Sequence, residues 1–245
     1  MLVIALIFGP FPVHQAIPRL EEISREVSGP RRPAGTDIPL AMLGRFEEAR
    51  RLNEEWRAAY EELGRPQWAA AADQARGLIE FLADRPAEAE RFLRRSRDGC
   101  LGIGERGFLS TLSALLARAL CLQGRFEEAV PFIEESREAA SSEDAVSQIG
   151  WRTSMAMVLA DRGDLEGVEA LAREAVEIAR TTDAIDQLAE AIGDLAQVVA
   201  AAGRRAEAAG LLREAVGLFE RKGNVVSAGR ARERLAELEG GSAGP

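Results

Sequence analysis

Lysine and histidine are nearly missing from this 245-residue chain: Lys222 is the only lysine and His14 the only histidine. A hydrolytic triad would therefore have to use His14. It stands beside Pro12 in the first turn of an expected helix, with no serine elbow to serve, so a surface or packing role is expected. Cysteine is scarce as well. Cys100 and Cys121 are too few for a disulfide framework, and neither has a Cys or His at metal-ligand spacing. Isolated thiols fit a reducing compartment, so a cytoplasmic protein without metal or other cofactor is expected. Positive charge is short: the formal net charge is −9. A nucleic-acid partner would call for a basic excess or stripe, and none is expected here. The preference for arginine reads as genomic base composition rather than as a phosphate-binding design. Long apolar runs are missing too. Residues 2–8 are apolar but end at Gly9-Pro10, too short to span a bilayer and without the basic start of a signal peptide. They are expected to end a buried helix, and to promote self-association if left uncovered. No membrane partner is expected.

Apolar residues make up 47% of the chain, aromatic residues only 5%. Alanine and leucine dominate, which is a helix-former composition. The organising feature is a short stretch that occurs twice, letter for letter, as Gly-Arg-Phe-Glu-Glu-Ala at Gly44–Ala49 and Gly124–Ala129. Looser copies begin at Asp84, Gly163 and Gly203, so the five copies are spaced by 40, 40, 39 and 40 residues. A fixed period of this length is the mark of a repeat array. Glycine at the first position lets the chain leave a helix through the left-handed conformation. The alanine five residues later is expected where the second helix of a pair closes on the first. Acidic residues between them suit the positive end of that second helix. The departures are Asp84 at the Gly position and Val168 at the Ala position.

Helical periodicity predicts helices over 12–27, 46–63, 67–83, 86–97, 106–123, 126–139, 144–162, 165–180, 185–202, 205–221 and 225–239. Residues 28–39 carry Pro30, Pro33 and Pro39 with two glycines, which breaks the pattern. The expected organisation is a helical stub and Pro/Gly-rich linker over 1–39, a solenoid over 40–239 and a frayed tail over 240–245. The linker is expected to shorten the helix in front of Gly44.

These residues resemble the tetratricopeptide repeat (TPR). That family places Gly at the inter-helix turn and Ala five and twelve positions on. Here the first Ala is present as Ala49, Ala89, Ala129 and Ala208. The second is present as Ala175 and Ala215 but is Trp56, Ser96 and Ser136 elsewhere. A small residue seven before the Gly is supplied by Ala117, Ala156 and Ala196. The period of about 40 exceeds the usual length of about 34, implying longer helices. The resemblance covers about residues 40–222. It implies an all-α, right-handed α-solenoid of antiparallel helix pairs, about five of them plus a terminal helix. A narrower resemblance rests on Phe8-Gly9-Pro10, on Glu105-Arg106-Gly107-Phe108-Leu109-Ser110-Thr111-Leu112 and on Glu220-Arg221-Lys222-Gly223-Asn224-Val225-Val226. It is similar to the C-terminal helical repeats of large actinobacterial signalling proteins, in which a cyclase-type domain and an ATPase domain precede the repeats.

Catalytic patterns fare poorly. Gly102-Ile103-Gly104-Glu105-Arg106-Gly107 matches G-x-G-x-x-G, yet charged helical residues precede it where a buried strand is needed, so an inter-repeat loop is expected. Paired acids such as Glu54-Glu55, Glu61-Glu62 and Glu134-Glu135 point about 100° apart on a helix and alternate with arginine, as a solvated face does. No P-loop pattern occurs. The better candidates line the groove of the expected solenoid, where the first helix of each pair faces inward: Gln74, Leu78, Phe81, Arg118, Cys121, Thr153, Met157 and Gln197. They form a mixed surface with one cation, suited to a protein or peptide partner or to other domains of a parent protein. The expected function is a non-catalytic interaction scaffold. The competing expectation is a ligand-sensing regulatory module of a transcriptional regulator.

Overall fold

Thirteen helices follow one another in the computed structural model, which describes residues 2–28 and 35–240, and no strand occurs among the described residues. They are α1 (Leu2–Phe8), α2 (Val13–Ser28), α3 (Asp37–Met42), α4 (Phe46–Glu62), α5 (Pro66–Leu82), α6 (Pro86–Gly102), α7 (Leu109–Cys121), α8 (Phe126–Ala139), α9 (Ala145–Asp161), α10 (Leu165–Arg180), α11 (Ile185–Ala201), α12 (Arg205–Lys222) and α13 (Val225–Gly240). From α3 onward they form five antiparallel pairs and a terminal helix.

The five copies of the repeated stretch are one turn built five times. Gly44, Gly124, Gly163 and Gly203 have φ between 71° and 80°, and Asp84 is the one non-glycine residue with positive φ among the described residues, at 58°. In each copy the next N–H reaches back five residues: Arg45 to Leu40 O, Arg85 to Glu80 O, Arg125 to Leu120 O, Asp164 to Leu159 O and Arg204 to Val199 O, at 2.9–3.1 Å. This satisfies a carbonyl that the first helix leaves open at its end. The same residue then starts the second helix by accepting from the N–H four residues on, as Arg125 O does from Ala129. Ala49, Ala89, Ala129, Val168 and Ala208 are all at most 1% exposed, so the small residue is where the two helices close.

Four apolar clusters succeed one another along the chain instead of one central core. The first joins α1–α5, the next α5–α8 around Leu93, Leu112 and Leu116, then α7–α9 around Ile133 and Val158, and the last α9–α13 around Ile192 and Leu195. Each leucine or isoleucine so covered contributes about 1.5–3 kcal/mol. Close approach replaces side-chain bulk at Gly77 of α5, where a Cβ would lie 2.7 Å from Leu93 of α6.

The expected linker over 28–39 needs correction in part. Residues 29–34 lie outside the described residues, and so does the expected tail at 241–245. Residues 36–42 are buried, and Asp37–Met42 form α3 with Pro39 inside its first turn. Proline is tolerated there because first-turn N–H groups have no helical partner anyway. A boundary after residue 39 would cut α3. It would also divide a cluster in which Leu6, Ile7, Val13 and Leu20 pack with Ile38, Leu40 and Ile79. The expected shortening of the helix before Gly44 is present: α3 has 6 residues where α4 has 17.

The array also returns on itself. Lys222, at the end of α12 and fully buried, donates to Gly9 O at 2.7 Å and Leu6 O at 3.4 Å beyond the end of α1. Arg230 of α13 donates to Leu82 O at 2.6 Å and Phe81 O at 3.4 Å at the end of α5. Carbonyls at helix ends lack intrahelical partners, and cations suit that end of the dipole. The end of the array is thereby joined to its beginning, α12 to α1 and α13 to α5.

Candidate functional site

The residues expected to line a groove lie on α5, α7, α9 and α11, and they differ in exposure. Gln74 is part-exposed. Leu78 packs beside the α1–α5 cluster, Phe81 beside the α5–α8 cluster and Met157 beside the α7–α9 cluster, each still part-exposed. Cys121 is 3% exposed and donates to Ser154 O at 3.6 Å; Thr153 is buried and donates to Gly150 O at 3.1 Å. Gln197 is exposed, in a shallow recess with Ala200, Leu212, Arg234 and Leu238. Burial pushes the Cys121 thiol up to about 11, which leaves it protonated and inert at neutral pH.

Arg118 is the centre of what remains. From α7 its Nη1 reaches Asp194 Oδ2 of α11 at 3.0 Å, across 76 residues of sequence. Asp194 and Glu190 both hold the guanidinium charged. Glu190 is open to water yet surrounded by protein, and that burial, with Asp194 beside it, raises its carboxyl above the usual range. Asp186 continues the same face of α11 one turn earlier. It is 8% exposed, and neither carboxylate oxygen has a hydrogen-bond partner of good geometry. Burial first, and Glu190 second, push it up to about 7, against the pull of Lys222. One face of α11 thus holds three acids at i, i+4 and i+8, Asp186 buried and Glu190 open to water, with Arg118, Lys222 and Arg230 around them.

The acids and Arg230 were not among the expected site residues. The signal for them was present: a stripe of like charges along one helix destabilises it unless cations are brought in from elsewhere. The G-x-G-x-x-G stretch begins at the last residue of α6 and runs through the loop to α7, so the loop expectation holds. His14 lies exposed on α2. Among the described residues no cluster of three His, Cys, Asp or Glu could hold a metal ion, and no helix is long and apolar enough to cross a membrane. What the interior can do chemically is exchange ion pairs and hydrogen bonds.

The chain matches no protein-family model and no curated protein sequence. Solved structures similar to it include the following two. BtubC (BKLC) from P. vanneervenii is 13% identical with a TM-score of 0.57, over 95% of this chain and 90% of that one. A Podosopora anserina putative kinesin light chain with nearly identical TPR-like repeats is 19% identical with a TM-score of 0.46, over 82% and 94%. The first likeness concerns the fold alone. Together with the five equivalent turns it makes this chain an all-α solenoid of antiparallel helix pairs.

Proposed function

We propose that the chain is a non-catalytic protein-interaction scaffold, whose partner enters the groove formed by α5, α7, α9 and α11. The observation that carries this reading is the pairing of Arg118 of α7 with Asp194 of α11 across 76 residues, which turns two first helices toward each other. It sets a cation of one first helix against the acids of another. Gln74, Leu78, Phe81, Arg118, Met157 and Gln197 would touch the partner, and Cys121 and Thr153 would support them from beneath. A polar partner segment would compete with Asp194 for Arg118. The module would run from α3 to α13, capped by α1 and α2. The stretches at 8–10, 105–112 and 220–226 favour an origin in a larger signalling protein of the cyclase/ATPase type. Exposed Leu2, Ile4, Phe8 and Phe11 at the N-terminal edge favour self-association through that edge.

The test is affinity capture from extract of the native cell, comparing the wild-type chain with Gln74→Arg and Gln197→Arg. Both sites reach solvent, so the fold is expected to survive. Specific partners should be lost from the variants, and equal recovery would reject the groove. Turnover of any nucleotide by the purified chain would reject the non-catalytic reading.

A further inference from the structure

The contact between α12 and α1 is built around two ionisable side chains that do not pair. Lys222 is fully buried, and its ammonium donates to two main-chain oxygens, Gly9 O at 2.7 Å and Leu6 O at 3.4 Å. Asp186, in the first turn of α11, is 8% exposed, and neither of its carboxylate oxygens has a hydrogen-bond partner of good geometry. The two groups feel each other's charge, yet they form no ion pair among the described residues. A buried carboxylate without a partner is costly, and so is a buried ammonium that loses its acceptors. The arrangement suits one protonation state: Asp186 neutral, and Lys222 charged with the carbonyls as its acceptors.

The docking of α1 depends on that ammonium. A helix of 7 residues does not hold its shape alone. Leu6 and Ile7 are buried, but Leu2 and Ile4 are 53% and 60% exposed, so apolar contact holds one side only. Leu6 O lies in the last turn of α1, beyond the reach of donors in its own helix, and Lys222 supplies one.

The other groups around Asp186 do not take over this part. Glu190, one turn on along α11, disfavours a charged Asp186. Arg118 of α7 and Arg230 of α13 act on Glu190, and Arg118 is taken up by Asp194. Asn224, at the turn from α12 to α13, is 1% exposed and faces Asp186 as a neutral donor. Residues 2–9 of the α1 side carry no charged side chain. His14 of α2 is exposed and follows Val13, which lies against Gly223.

We propose that Asp186 is a proton-operated latch on the first helix. With its proton it leaves Lys222 to the carbonyls of Leu6 and Gly9, and α1 stays docked. Without the proton its carboxylate competes for the Lys222 ammonium, the carbonyls lose their donor, and α1 is released. Docked, Asp186 keeps its proton up to about pH 7; set free, it keeps it only to about 3.8. Release is therefore rarest in acid, rises about tenfold per pH unit between these values, and levels off above 7. The latch does not depend on what the groove binds.

Hydrogen exchange of the full chain tests this, read by mass spectrometry on peptides from residues 2–11 and corrected for the pH dependence of the intrinsic rate. Protection of α1 should fall at least about 10-fold from pH 5 to pH 7.5, while α7 keeps its protection. Asp186→Asn should hold the higher protection at both pH values. Lys222→Met should show the loss already at pH 5. His14→Gln should behave as wild type, although histidine titrates in the same range. Protection of α1 that does not change with pH in the wild-type chain would overturn the inference. So would the same fall in Asp186→Asn, wild-type protection in Lys222→Met at pH 5, or loss of the fall in His14→Gln. The wild-type and His14→Gln arms leave the buried groups untouched, so the inference can fail even where a core variant does not fold by circular dichroism.

Discussion

Single residues decide more here than in a globular core, because each turn and each closing contact stands nearly alone. Gly124 has φ 71°, and no atom lies within 4 Å of where a Cβ would stand, so alanine there meets backbone strain only. Gly124→Ala is expected to cost about 1 kcal/mol in urea denaturation. Lys222→Ala is expected to cost more, about 3 kcal/mol, since it leaves the carbonyls of Leu6 and Gly9 unsatisfied and opens a cavity. Asp186 works in the opposite sense. Its carboxyl is pushed up to about 7 in the folded chain from an ordinary 3.8, so the folded state keeps a proton that the unfolded state gives up. The groups facing it are Glu190 on its own helix, Lys222 of α12 and Asn224 at the turn to α13. Stability from this site is complete below pH 3.8 and falls as pH rises toward 7. Asp186→Asn should therefore stabilise the chain by about 2 kcal/mol at pH 8 and change little at pH 4, read from melts at both pH values.

At the scale of the helix, the second helix of each pair closes on the first through one small side chain. Ala129 is fully buried, so Ala129→Leu has no room and should cost about 1–3 kcal/mol, measured by thermal denaturation. Val168 fills the equivalent place on α10 at 1% exposure, which shows that the spacing of a pair adapts when the bulk is present from the outset. This level was legible in the sequence. The Gly-to-Ala interval fixed where each helix ends and the next begins, because glycine and its substitute Asp84 are demanded by backbone geometry, a local property. Length was less legible. The expected helix over 86–97 runs on to Gly102, since Gly99 packs on Ala70 of α5, 3.4 Å from its would-be Cβ, and Cys100 is buried. Glycine opposes a helix by propensity, and contact with a neighbouring helix overrides it. The short helix α3 was hidden for a similar reason: three nearby prolines suggest a break, and only burial of all six of its residues reveals the helix.

At the scale of the molecule, the joining of α12 to α1 and of α13 to α5 is what the sequence did not show. Lys222 to Gly9 and Arg230 to Leu82 are contacts 213 and 148 residues apart, with no local pattern to announce them. Nor did spacing reveal that Arg118 would meet Asp194, although the inward direction of Arg118 was legible from its place before Gly124. If the polar closure holds the superhelix shut, Lys222→Ala combined with Arg230→Ala should enlarge the radius of gyration in small-angle X-ray scattering while helicity by circular dichroism stays constant. An unchanged radius would assign closure to the apolar contacts of α1 and α13 alone.

The closure also sets an order of events during synthesis. A helix pair of an ordinary array can settle as soon as its neighbour has left the ribosome. Here the end of α5 must wait for Arg230, which is 148 residues downstream of Leu82. At about 5–20 residues per second that interval is roughly 7–30 s. During it the nascent N-terminal half presents the carbonyls of Phe81 and Leu82 without Arg230, and the end of α1 without Lys222, a span in which a chaperone or a second nascent chain has first access.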